Sequence, residues 1–127
     1  MMLYEGDSAF RQIFTDGRAH PVDPQPAWLG YSIGKWDGDS MVVEAVGFND
    51  KSRLDAFGHP HSEAMKVTER FHRLDFGHME AQLTVDDPQT YTKPIAVKVN
   101  LRLLPDTDLI ENFCIENEKD AAHMRGQ

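Results

Sequence analysis

One cysteine, Cys114, is all that the 127-residue chain contains. A single thiol excludes an intrachain disulfide framework and a cysteine-rich zinc site. Basic residues are also scarce, with 13 Lys and Arg against 21 Asp and Glu and a net charge of −8. An acidic surface repels phosphate, so neither nucleic acid nor an anionic membrane is expected as a partner. No apolar run approaches the roughly 20 residues needed to span a bilayer. The opening MMLYEGDSAF lacks the basic n-region and apolar h-region of a signal peptide, and the expected address is cytoplasmic. Nucleophile-elbow, phosphate-loop and dinucleotide-binding motifs are all missing, which removes the commonest sequence routes to an assigned enzyme. Whether the chain is an enzyme is left open by its residues.

Helical periodicity hardly appears; period-two alternation does. Strands are expected near 2–5, 9–15, 28–36, 40–48, 64–74, 78–86, 94–104 and 108–116. WDGDS places Asp37-Gly38 between two alternating runs, a hairpin signal because glycine tolerates positive φ. Pro105-Asp106 closes another turn, and DDPQTYTKP reads as a longer connection barred from regular pairing by Pro88 and Pro94. Only the tail NEKDAAHMRGQ suggests a short helix or a frayed end. Short connections favour a meander, and about eight strands with one apolar face should curl. The expected fold is one all-β domain over 1–127: a curved antiparallel meander forming an up-and-down barrel or half-barrel of calycin type. A two-sheet sandwich is the alternative.

Several strands carry carboxylates on their apolar side. Glu69 lies with Met65, Val67 and Phe71, Glu44 with Val42, Val46 and Phe48, and Glu111 with Leu109, Phe113 and Ile115. Lys35 shares a side with Leu29, Tyr31 and Ile33. A carboxylate facing an apolar interior must be protonated, paired or set at a wet cavity. A ligand cavity lined by Tyr31, Lys35, Glu44, Glu69, Phe71 and Glu111 follows if all point inward. A bulge that turns the glutamates outward, or a pair with Lys35 or Arg70, is the competing reading.

GHPHSEAMKVTERF carries the other candidate. Pro60 favours an extended His59, and in an extended chain His59, His61 and Glu63 project to one side. Two imidazoles and a carboxylate suit Zn, Mn or non-haem Fe, so a divalent metal cofactor is considered there, with His20 or His78 as further ligands. An acid–base enzyme would use His59, His61, Glu63 and Glu69, with Glu69 and His61 as the catalytic candidates. Structural histidines shaping a turn are the plainer reading. Cys114, on a polar side with Asn112 and Glu116, reads as an inert thiol, and Trp28 and Trp36 as packing anchors.

WLGYSIGKWDGD, GHPHSEAMKVTERF, DDPQTYTKP and LLPDTDLIENFCIENEKD together resemble an uncharacterised family of bacterial β-rich proteins. The likeness runs over nearly the whole chain and implies a bacterial source and a shared β fold, with no activity to carry over. Members of that family are often longer at the N-terminus, and many carry export signals. The leading expectation is a small-molecule-binding barrel. A metal-dependent or acid–base enzyme and a structural module forming homo-oligomers are its rivals. A homodimer is expected through segment 1–15, whose edge is weakly protected by charge.

Overall fold

The computed structural model of the protein describes residues 1–5 and 9–110. Among these residues the fold is all-β, with strands β1 (Met2–Leu3), β2 (Phe10–Arg11), β3 (Ile13–Phe14), β4 (Tyr31–Asp37), β5 (Ser40–Val46), β6 (Lys66–Arg73), β7 (His78–Asp86) and β8 (Ile95–Arg102). β1 and β2 form a two-stranded sheet, and the remaining six form one sheet in the order β3-β4-β5-β6-β7-β8. From β4 to β8 each strand lies antiparallel to the next in sequence. The tightest connection is the expected hairpin: Asp37 faces Ser40, and Gly38 between them supplies a φ of 61°, strained for any residue with a Cβ.

Closure into an up-and-down barrel does not occur among the described residues, because β3 and β8 stand at opposite edges. An open sheet takes its place, consistent with either the half-barrel or the sandwich expected as its alternative. The run expected as one strand over 9–15 is divided at Gln12, since the chain changes partner there. β2 pairs antiparallel with β1, whereas β3 lies parallel to β4, with Ile13 beside Ser32 and Phe14 beside Ile33. A parallel neighbour requires a crossover of about a dozen residues or more, and segment 15–30 provides it. Pro21, Pro24 and Pro26 keep that segment out of the ladder. It is fastened to the end of the sheet by Ala27, whose N–H donates to the Gly47 carbonyl at 2.9 Å while its own carbonyl accepts from Asn49 N–H at 2.9 Å.

The strand expected over 108–116 is not formed by Asp108, Leu109 or Ile110; the remainder of it, including Glu111 and Cys114, and the expected C-terminal helix lie outside the described residues. The pairings inside segment 1–15 take up backbone groups on which a homodimer through that segment rested.

Register sorts the side chains onto two faces. Val43, Glu69, Leu83 and Val97 stand in one row, flanked by the rows Ala45, Val67, Val85, Ile95 and Met41, Phe71, Ala81, Val99. These three rows are apolar except at Glu69; Ser32 and Arg73 stand on the same face at its margins. Tyr31, Lys35, Glu44, Thr68, Gln82 and Lys98 stand on the opposite, largely polar face. Loop 47–65 folds over one end of the apolar face. Phe48, Met65 and Leu54 pack there on Ala45, Val67 and Val85. Phe48 reaches that side because Gly47, at a φ of 72°, ends the alternation that would have kept it with Val42 and Val46. Trp28 and Trp36 are 63% and 69% exposed, so neither anchors the core as expected.

Arg11 covers the middle of the apolar face. Its guanidinium donates to the Glu69 carboxylate across 58 positions of sequence, with both side chains only 10% exposed. This ion pair resolves the question posed by a glutamate among valines and leucines: it is paired. Removing one member of a buried pair strands the other charge, so Glu69→Gln is expected to cost about 3–5 kcal/mol in urea unfolding. Arg11→Met combined with Glu69→Leu should come within about 1 kcal/mol of the parent or exceed it. Single and double variants that lose stability equally would refute the assignment.

Candidate functional site

The expected cavity residues separate. Tyr31, Lys35 and Glu44 share the polar face, whereas Glu69 and Phe71 belong to the apolar one. The sheet stands between the two groups, so they do not line a common cavity. The physical reason is parity: β5 and β6 pair Glu44 with Thr68 and Val43 with Glu69, which puts the two glutamates on opposite sides of adjacent strands. Glu111 lies outside the described residues.

The metal candidates also separate. His61 is buried, with Nδ1 donating to the Ser62 carbonyl at 3.2 Å and Nε2 hydrogen-bonded to Ser52 Oγ at 2.7 Å. Both of its nitrogens are engaged. His59 is exposed and pairs through Nδ1 with Asp55 at 2.7 Å, a hydrogen bond that holds the Asp55 carboxyl below its ordinary range. Glu63 points into a different groove. No three His, Cys, Asp or Glu side chains among the described residues come together as a metal-ligand group. The expected extended row fails because Ser62 accepts a backbone bond from Met65 N–H at 3.2 Å and the chain turns over 63–64. His59, His61, Glu63 and Glu69 therefore do not form one acid–base site either.

Asp87 fixes that turn. It is buried, and its carboxylate accepts from Ser62 N–H and Ser62 Oγ–H, each at 2.6 Å, and from Gln89 N–H at 3.2 Å. Burial pushes the carboxyl up, but the Ser62 and neighbouring hydrogen bonds outweigh it and bring the pKa down to about 2. Tyr91 Oη–H donates to the Pro60 carbonyl at 2.7 Å and holds the same loop from the other side. Hydrogen bonds with Asp87, Tyr91, Ser52 and Asp55 thus fasten this histidine-bearing loop.

What the polar face does assemble lies around Glu44. Phe14 and Tyr31 stack with ring centroids 5.0 Å apart. Gly17, at a φ of 80°, turns the chain back so that the Arg18 guanidinium sits 4.0 Å over the Phe14 ring. From there Arg18 donates to Tyr31 Oη at 3.2 Å and to Asp16, whose carboxyl it holds below the ordinary range. His20 meets Tyr31 edge-on at 6.1 Å, with Nε2 3.9 Å from Glu44 Oε2. Lys66 Nζ lies 3.5 Å from the same oxygen. Both ring nitrogens of His20 are buried and have no hydrogen-bond partner among the described residues.

A cavity of about 130 Å³ opens beside this cluster, lined by Gly17, Arg18, Ile33, Gly34, Lys35, Val42 and Glu44. It has a carboxylate, two cations and an apolar floor. His20 itself lines a different, broader groove of about 430 Å³, with Pro24, Phe48 and Glu63 also on its walls. Parity within β4 puts Tyr31 and Lys35 on one face, and the β4–β5 register adds Glu44 to it. Sequence reasoning missed Arg18, which occupies a proline- and glycine-punctuated segment without periodicity, and considered His20 only as a metal ligand. The aromatic–glycine–basic order Phe14-Gly17-Arg18 was the available signal.

No family model matches the chain, and neither the curated proteins nor the solved structures contain a similar one.

The Asp87 assignment has a pH signature. A carboxyl whose folded pKa is depressed stabilises the fold above its unfolded pKa, here 3.8, and loses that contribution as pH falls through the folded value of about 2. Asp87→Asn should therefore cost about 1.5–3 kcal/mol at neutral pH. The difference from the parent should shrink progressively below pH 3.8 in urea unfolding. A difference that does not change with pH would sink it.

Proposed function

We propose that the protein is a small-ligand-binding module whose site is the Glu44 cavity on the polar face of the sheet. The ligand class is a compact molecule with a carboxylate at one end and an amine or hydroxyl donor at the other. Arg18 and Lys35 on the cavity wall suit the carboxylate, since charge-assisted hydrogen bonds are the strongest available to them. Glu44 suits the donor. A cavity of about 130 Å³ corresponds to about four water volumes at roughly 30 Å³ each, which limits the ligand to a few heavy atoms. The apolar floor of Ile33 and Val42 accommodates a short carbon stem.

The observation that carries this reading is the lining itself: one carboxylate, Glu44, and two cations, Arg18 and Lys35, converge on a single small cavity with an apolar floor. His20 stands behind Glu44, 3.9 Å from its Oε2, and faces the neighbouring groove. Net acidity is compatible with this choice, because the cations are local to the cavity while the remaining surface repels polyanions.

Amide-resolved NMR titration tests the proposal with glycine, β-alanine and glycolate as probes and with acetate and methylamine as single-group controls. The two-ended probes are expected to shift the Ile33 and Val42 amides at millimolar concentration, with the controls at least tenfold weaker. Glu44→Gln should weaken the amine probes about tenfold, the loss of roughly one charge-assisted contact. Unmoved Ile33 and Val42 amides at tens of millimolar of all three two-ended probes would overturn it.

A further inference from the structure

We propose that the outer edge of β8 is a self-pairing interface: two copies of the chain join antiparallel about Val99 and continue the sheet from one copy into the other. Three features of the strand point to it. β8 ends the sheet order, so one side of its backbone ladder has no strand neighbour among the described residues. Leu103 N–H donates to the Gly77 carbonyl at 2.8 Å. Antiparallel alternation then directs the N–H and C=O of Val97, Val99 and Leu101 towards β7 and those of Ala96, Lys98, Asn100 and Arg102 towards the open side. Finally, Val97, Val99 and Leu101 on the apolar face are 51%, 37% and 41% exposed, an unusual degree of wetting for the alternating apolar residues of a strand eight residues long.

The charge pattern selects both the occupant and the register. A two-fold centre on Asn100 would set Lys98 opposite Arg102 of the second copy, and a centre on Lys98 would set two lysines face to face; like charges directly opposite are destabilising. A centre on Val99 sets Lys98 opposite Asn100, Ala96 opposite Arg102 and Val97 opposite Leu101. It also lies at mid-strand, so it pairs the longest stretch. The outward N–H and C=O groups of Lys98 and Asn100 then face each other as hydrogen-bonded pairs on either side of Val99. Lys98 is engaged by Glu80 within its own chain, which neutralises the charge nearest the proposed centre and leaves Arg102, at the strand end, as the remaining charge on the edge. Such pairing of identical strands is self-complementary, as a two-fold interface must be.

Among the described residues, the chain after β8 leaves this edge open. Pro105-Asp106 turns it, and Leu109 and Ile110 line a groove with Met1, Leu3 and Phe10 of the N-terminal hairpin, so residues 107–110 do not double back along β8. Joined at Val99, two copies would merge their exposed apolar stripes into one continuous face. The contact is a single strand pair with its stripe, at the small end of specific interfaces, so dimerisation is expected at tens of micromolar.

Sedimentation of the intact chain across that range tests the inference, alongside Asn100→Pro and, in a Cys114→Ser background, Val99→Cys and Ala96→Cys. Asn100→Pro removes an outward N–H and leaves the ladder to β7 intact. It should be a monomer where the parent is a dimer, with an unchanged β-sheet circular dichroism spectrum. Val99→Cys should form a covalent dimer on mild oxidation, because residue 99 meets its own copy, whereas Ala96→Cys should not. A monomeric parent overturns the proposal, and so does a dimer that survives Asn100→Pro and resists crosslinking at Val99→Cys. A monomeric parent destabilised by Asn100→Pro would assign the edge to the chain's own residues beyond Ile110 and overturn it equally.

Discussion

A single ion pair organises the apolar side of this sheet. Glu69 stands in the middle of a largely apolar face, with Val43 and Leu83 beside it in its own row. An unpaired carboxylate there would cost several kcal/mol. Arg11 meets it from β2, and in doing so draws the N-terminal hairpin across the sheet. That hairpin has few other attachments of its own, since Leu3 and Phe10 are exposed. The division of 9–15 at Gln12 follows from the same requirement: Arg11 belongs to a hairpin above the sheet, while Ile13, two residues later, belongs to the sheet itself. A buried pair is weak evidence for net stability. Its contribution here is placement, because only one position on the apolar face offers a charge for Arg11 to meet.

With the apolar face given to packing, chemistry is left to the other face. There the crossover 15–30, forced by the parallel pairing of β3 with β4, carries Arg18 and His20 over Tyr31, Lys35 and Glu44. The cavity therefore depends on topology as much as on the strands. An antiparallel β3 would need no such crossover, and Arg18 and His20 would have no route to Glu44. The histidine-rich loop, by contrast, is consumed by structure. Ser52 and the Ser62 carbonyl take up both ring nitrogens of His61, Asp55 takes up Nδ1 of His59, and Asp87 holds the Ser62 N–H beside them, so most of the polar atoms of this cluster are engaged within the loop.

Much of this was legible beforehand. Five long strands were found by alternation, with the expected range 78–86 coinciding with β7 (His78–Asp86) and Asp37-Gly38 marking the hairpin. Parity within one strand grouped Tyr31 with Lys35 correctly, because side chains two apart must share a face. Relating Glu44 to Glu69 demanded the register between β5 and β6, and a shift of one residue there exchanges every side chain between faces. Local sequence leaves that register undecided, and the two glutamates were accordingly placed in one cavity although they face opposite ways. Trp28 and Trp36 failed as core anchors for a related reason: their size argues for burial, but each lies near an end of its segment where nothing packs over it.

The sequence by itself determined an all-β chain, the positions of its main strands and turns, and its net acidity. These are properties of period, turn chemistry and charge count, and each is written within a few consecutive residues. The tertiary structure alone decided that the described strands form an open sheet, that β3 runs parallel to β4, that Arg11 meets Glu69 across 58 positions, and that Arg18 and His20 gather around Glu44. Each of those outcomes is a pairing between distant segments. Its free energy depends on which faces are brought together and what each charge finds there, and that is settled only when the whole sheet forms.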